Sequence, residues 1–219
     1  MLFDLRGRRR RAVQGTYLLL ALLMGGGLVL FGIGGDVSGG LLDAFRGGGG
    51  GQSGDSALQD RIDRQEERLQ ANPQSQAVLA NLVRDYYSLA SSQRESGSVG
   101  FPEDARDELR SAGNYWQRYY KATDRPDPDV AGYALQIYDV GGLNKPKEAV
   151  TPARVLAEQG NDAPSYLRLV LYASRAGDTR TADLAGQKAV DLAPKAQRKP
   201  IEKQVEQIKK QAQEQQPSG

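Results

Sequence analysis

The 219-residue chain contains no cysteine and no histidine. Without cysteine there is no disulfide, no thiolate metal site and no cysteine nucleophile. Without histidine the commonest general base, the commonest metal ligand and the Ser-His-Asp triad are gone. No cofactor and no metal site is expected, and the chain reads as non-catalytic. An excess of one charge is missing too. Lys and Arg total 29 against 27 Asp and Glu, which argues against a basic nucleic-acid-binding domain. No segment alternates apolar and polar residues with β-branched enrichment, so nothing reads as a strand. The fold class is all-α. Nothing points to a small-molecule substrate or to nucleic acid as partner.

Long hydrophobic runs are scarce, and only one stands out. Residues 12–35 carry no charge, and about 20 helical residues cross a hydrocarbon layer ~30 Å thick. Arg6 and Arg8–Arg11 stand immediately before this run, and clustered arginines stay on the cytoplasmic side. The expectation is a cytosolic arm at 1–11, a transmembrane helix in the lipid bilayer at 12–35, and everything later on the extracytoplasmic side of the cell membrane. No clear A-x-A cleavage site follows; a looser cut after Gly34 or Gly39 stays open. Ala21, Gly25, Leu28 and Gly32 share a helical face, which suits close helix approach or simply the glycine tolerance of membrane helices.

Residues 36–55 read as a Gly-rich linker, with Gly47–Gly51 at its centre. The Gly-Lys-Ser/Thr ending of a phosphate-binding loop is absent from it. Helical spacing then runs to the end. Leu58, Ile62 and Leu69 form one stripe, capped by Asp55 or Ser56 and stopped at Asn72-Pro73. Val78, Leu79, Leu82, Val83, Tyr86 and Leu89 form the next. Residues 91–100 read as a loop. After Pro102 come Ala105, Leu109, Ala112, Trp116 and Tyr119, and then a helix over Val130–Val140. Thr151-Pro152 either starts a helix or kinks one. Asp124, Asp127 and Asp129 lack calcium-loop spacing and read as caps and turns. Tyr115, Tyr119 and Tyr120 read as packing, as do Leu82, Tyr86, Trp116, Tyr138 and Leu169.

The helices group in pairs. In the stretch 163–194, Tyr166, Leu169, Val170 and Ala173 precede a Gly177-Asp178 turn. Ala182, Gly186 and Ala189 follow, and Leu192-Ala193-Pro194 closes the unit. Ala131, Ala134, Leu135 and Tyr138 repeat the first-helix spacing, and so do Leu79, Leu82, Val83 and Tyr86. This resembles the tetratricopeptide-repeat family, with its period of about 34 residues. The resemblance covers about residues 56–212. It implies a helix-pair solenoid over 56–194, with a capping helix and polar tail at 195–219. Departures are Ala131 where Trp is typical, Gly186 where Phe is typical, and roughly 17 extra residues in the first unit. Ala105/Leu109/Ala112 and Ala112/Trp116/Tyr119 are rival alignments there.

In this family the first helices line a concave groove that holds a protein or peptide segment. Position by position, the resemblance implies Arg84 and Tyr87 from the first unit. The second gives Gly132, Gln136 and Asp139, and the third gives Leu167, Leu171 and Arg175. The whole architecture is similar to bacterial membrane-anchored tetratricopeptide proteins ancillary to the Sec translocon and to periplasmic chaperones. It implies a scaffold or chaperone-like helper, or else a dedicated assembly subunit of one membrane complex, as in cytochrome c maturation or envelope synthesis.

Overall fold

A computed structural model describes residues 52–95, 97–98 and 100–214. Basic arm, apolar run 12–35 and most of the glycine-rich stretch lie outside the described residues, as does the last part of the polar tail. Among the described residues no helix is long and apolar enough to cross a membrane. These residues are helical, with no strand: α1 Gln52–Ala71, α2 Gln76–Ser92, α3 Arg106–Ala122, α4 Pro128–Tyr138, α5 Pro146–Gly160, α6 Ala163–Arg175, α7 Thr179–Leu192 and α8 Arg198–Glu214. Short 3-10 turns, Glu103–Ala105 and Lys195–Gln197, lead into α3 and α8.

Helix ends follow local chemistry, with one surprise. α1 starts at Gln52 and runs through Gly54, so neither Asp55 nor Ser56 caps it. Asp127, Asp162 and Asp178 are the caps of α4, α6 and α7. Their side chains accept from the amides of Asp129, Ser165 and Thr181 at 2.8, 2.8 and 3.0 Å, satisfying donors that a helix start leaves free. Hydrogen bonding to the Ser165 and Thr181 sides draws the Asp162 and Asp178 carboxyls below their ordinary pKa. Asn161 ends α5 in the left-handed region, φ +45°, a conformation asparagine tolerates. α5 starts at Pro146 and passes through Pro152 without a break. Pro152 has no amide to give the Glu148 carbonyl, but its ring is buried in the core. Apolar packing at 152 thus replaces one backbone bond.

Each helix packs on the next in the chain. Beyond that, α2 also touches α4 and α6 also touches α8; no helices farther apart in the chain meet. Small residues permit the close crossings. Ala149, Ala153 and Ala157 line α5 at i, i+4, i+8, and Ala182, Ala185 and Ala189 line α7; all are buried. Larger groups fill between them: Ile62, Leu79, Leu82, Leu109, Trp116, Ile137 and Val170 are each at most 2% exposed. Close contact fixes two glycines. A Cβ on Gly113 of α3 would meet the Tyr138 hydroxyl of α4 at 3.0 Å, and that hydroxyl donates to the Gly113 carbonyl at 2.8 Å. A Cβ on Gly186 of α7 would meet Val205 of α8 at 2.7 Å. At 186, α8 occupies the space a side chain would need.

Two polar clusters join the first helices. Asp85, only 6% exposed, accepts from Arg61 Nε at 2.8 Å and from Gln65 at 2.5 Å, and Arg61 closes a second bond to its other oxygen. Glu66 accepts from the hydroxyls of Tyr86 and Tyr115 at 2.7 and 2.8 Å, and those rings stack 5.6 Å apart. Burial, then the Glu66 hydrogen bond and charge, raises both phenols, Tyr115 to about 12. Tyr86 is thus half-buried and networked, whereas Leu82, Trp116, Tyr138 and Leu169 lie in the core as expected.

Candidate partner-binding face

The expected groove residues fall on α2, on α4 and the residue after it, and on α6. The helix that touches α2 besides its sequence neighbours is α4, so side chains cross between them. The Tyr87 hydroxyl donates to Gln136 Oε1 at 2.6 Å. Its ring packs against Tyr133 at 5.0 Å and meets Phe101 edge-on at 5.7 Å. Arg84 donates to Asp127 at 2.8 Å, tying α2 to the cap of α4. Both partners are about 40% exposed, so this pair stabilises little and chiefly positions.

Asp139, just past the end of α4, reaches across to α6. Asp139 pairs with Arg175 at 3.7 Å. Burial first, then the Asp139 charge and hydrogen bond, raises the Tyr172 phenol. Between these helices lies an open depression of about 580 Å³, with Gly132, Tyr133, Gln136 and Asp139 on one side and Arg168 and Tyr172 on the other. A Cβ at Gly132 would meet nothing within 4 Å, so the backbone of α4 is open to a ligand there.

Arg84, Tyr87, Gln136, Asp139 and Arg175 are therefore brought together, and Leu167 and Leu171 are not. Leu167 is buried in the core at 8% exposure. Leu171 is half-buried and does not line that depression. The face of α6 is one residue off: Arg168, Tyr172 and Arg175 stand at i, i+4, i+7. That spacing was available from Arg175 backwards. Tyr133 was also missed, although it follows Gly132 directly. Asp127 was read as a cap or turn residue, and it serves both as cap and as partner of Arg84.

The inserted loop between α2 and α3 belongs to this face. The Phe101 amide donates to the Gly141 carbonyl at 2.9 Å, across to the α4–α5 turn. The Phe101 ring carries Arg94 at 5.0 Å on its face. The extra residues thus bridge the first pair of helices to the second, beside Tyr87.

The arrangement offers aromatic and polar contact surface. Gln136 uses its oxygen on Tyr87 and keeps its amide hydrogens for another partner. Among the described residues no group of three or more Asp or Glu could hold a metal ion. Tyr115 and Tyr120 are half-buried and Tyr119 is buried against Trp116, so this tyrosine cluster is packing. No protein-family model, no curated protein and no solved structure matches the chain.

Proposed function

We propose that the chain is a non-catalytic, membrane-anchored scaffold with tetratricopeptide-like helix pairs. In this reading residues 12–35 hold it in the cell membrane with the N-terminus cytoplasmic, and its helices work on the extracytoplasmic side. The face made by α2, α4 and α6 receives a segment of a partner protein, as a chaperone-like helper near the secretion machinery would. One observation carries the reading. α2 lies against α4 as well as α3, and α6 against α8 as well as α7; side-by-side first helices are how helical repeats build an extended binding surface. The Tyr87–Gln136 hydrogen bond and the Asp139–Arg175 pair support it, since side chains already held in place lose less entropy on binding.

The test is photo-crosslinking in cells from positions 87 and 168, with mass spectrometry of the adducts. Many secreted chains together with translocon subunits are expected. One dominant membrane complex would replace the helper role by that of a dedicated assembly subunit. No protein adduct from either position would refute the binding face. Orientation is tested separately: protease outside spheroplasts should remove the helices and spare a tag before Arg6.

A further inference from the structure

Helices α3, α4 and α5 enclose a second cavity, of about 230 Å³, which shares no lining residue with the depression between α4 and α6. Trp116 and Tyr120, one turn apart on α3, and Tyr138 of α4 supply its aromatic walls. Glu148 and Thr151, one turn apart on α5, supply a polar side, and exposed Lys121 stands at the edge. Trp116 and Tyr138 are each 2% exposed and form the floor. Half-buried Tyr120 leans on Trp116, ring centroids 5.7 Å apart. The Tyr138 hydroxyl is already spent on the Gly113 carbonyl.

Two acceptors of α5 at this cavity lack a partner. The Glu148 carboxylate is half-buried and has no ion pair among the described residues. The Glu148 carbonyl has lost its usual donor, because the residue four positions on is Pro152. An acid in the first turn suits the helix dipole. That accounts for its sign, but not for its place beside three rings. Its charge is felt among them: burial first, and the Glu148 charge in addition, push the Tyr138 phenol up to about 12, against a Gln117 hydrogen bond that lowers it. Lys121 reaches no acid among the described residues, so the carboxylate is left without a counter-charge.

We infer that this cavity receives the ammonium group of a lysine side chain from a partner protein. A lysine tip is a compact cation with three donors and no acceptor, which matches a carboxylate beside a freed carbonyl. Aromatic faces attract the same charge, and the alkyl stem lies along apolar walls. The space is smaller than the roughly 300–1,000 Å³ that drug-sized ligands take, and suits one side chain. A guanidinium is a broad plane that seeks two acceptors side by side. An ethanolamine headgroup would bring its phosphate against the Glu148 carboxylate. The inference depends neither on the proposed anchor nor on the α2–α4–α6 face.

Trp116 is the one tryptophan of the chain, so its emission reads the cavity directly. The 219-residue chain in a nonionic detergent is titrated with Nα-acetyl-lysine methylamide, with its neutral norleucine analogue, with its arginine analogue and with phosphoethanolamine. The lysine probe should shift Trp116 emission saturably, with a dissociation constant of about 1 mM, and the norleucine analogue should bind about fivefold more weakly. With circular dichroism unchanged, Glu148→Gln should weaken the lysine probe about fivefold and Tyr120→Leu about two- to fivefold. Lys121→Gln removes a like charge and should strengthen it about twofold. No saturable shift, an equal response to norleucine, or equal affinity in Glu148→Gln would overturn the inference. So would tighter binding of phosphoethanolamine or of the arginine analogue. A response that appears only in Lys121→Gln would mean that Lys121 fills the cavity itself, and would overturn it too. In cells, a photo-crosslinker at position 121 should give protein adducts that Glu148→Gln removes; adducts indifferent to Glu148 would count against the partner lysine.

Discussion

Replacing Gly186 by alanine tests how α7 and α8 meet. In an unconstrained helix interior the change is favourable by about 1 kcal/mol. Here an alanine Cβ would lie 2.7 Å from Val205 Cγ1, well inside van der Waals contact. Val205 is β-branched and holds one strongly preferred χ1 in a helix, so α8 itself has to shift. Overpacking of this kind costs about 1–3 kcal/mol. The balance is a net loss of up to about 2 kcal/mol. Val205 is buried at 6% exposure, and Val205→Ala alone should lose about 2 kcal/mol from the methyls and the space they leave. In the double variant the new methyl at 186 enters that space. It should therefore be more stable than the summed losses by about 1–3 kcal/mol. Urea unfolding followed by circular dichroism, on all four proteins of the cycle, reads this coupling. Strictly additive losses would refute the close approach of α7 and α8.

Leu169, 3% exposed, should not tolerate charge. Leu169→Asp is expected to lose more than about 4 kcal/mol, whereas Arg168→Gln keeps the melting curve and weakens crosslinking from position 87. Equal melting of these two variants would contradict the assigned faces of α6. Arg61→Ala should cost about 2–4 kcal/mol, because it strands the Asp85 carboxylate. Asp85→Ala should cost less, about 1–3 kcal/mol, since the Arg61 side chain is 54% exposed and returns to water. Chemical denaturation giving the opposite order would contradict the buried position of Asp85. Tyr115 and Tyr138 are pushed up to about 12 from 10.0, and Tyr86 is raised as well. Between pH 10 and about 12 the folded phenols keep protons that the unfolded chain has lost, so the stability present in full below pH 10 falls as pH rises through that window. Absorbance at the phenolate band should show a late-titrating class that Tyr86→Phe and Tyr115→Phe diminish. A single class near the ordinary value, with helicity intact, would refute the burial.

Helix count and helix faces were legible because apolar spacing, Asn72-Pro73 and the aspartate caps are local signals. The all-helical class follows from the same spacing. What escaped were contacts set by distant parts of the chain. Nothing near Asp85 announces that Arg61 and Gln65 converge on it from another helix. Leu167 and Arg168 are adjacent, and one residue of helical rotation, about 100°, decides which is core and which is surface. Apolar character fits Leu167 for the core; the family position put it in the groove. The start of α1 was also missed, since Gly54 looks like linker by composition alone.

The irregularities of the sequence are answered within the packing. The loop before Pro102 breaks the repeat period, yet Phe101 fixes it to Gly141 and sets it beside Tyr87. Pro152 interrupts a backbone bond, yet its ring is core. Gly186 adds no bulk inside a helix, yet Val205 takes the volume beside it. Each departure has a partner in the packing, and so needs no functional cause. On the α2–α4–α6 face the charges at Arg84 and Arg175 are already paired within the fold. A partner there meets aromatic rings and the Gln136 amide before it meets net charge. Partner capture from position 87 should therefore persist as ionic strength rises, and crosslinks lost at high salt would contradict this.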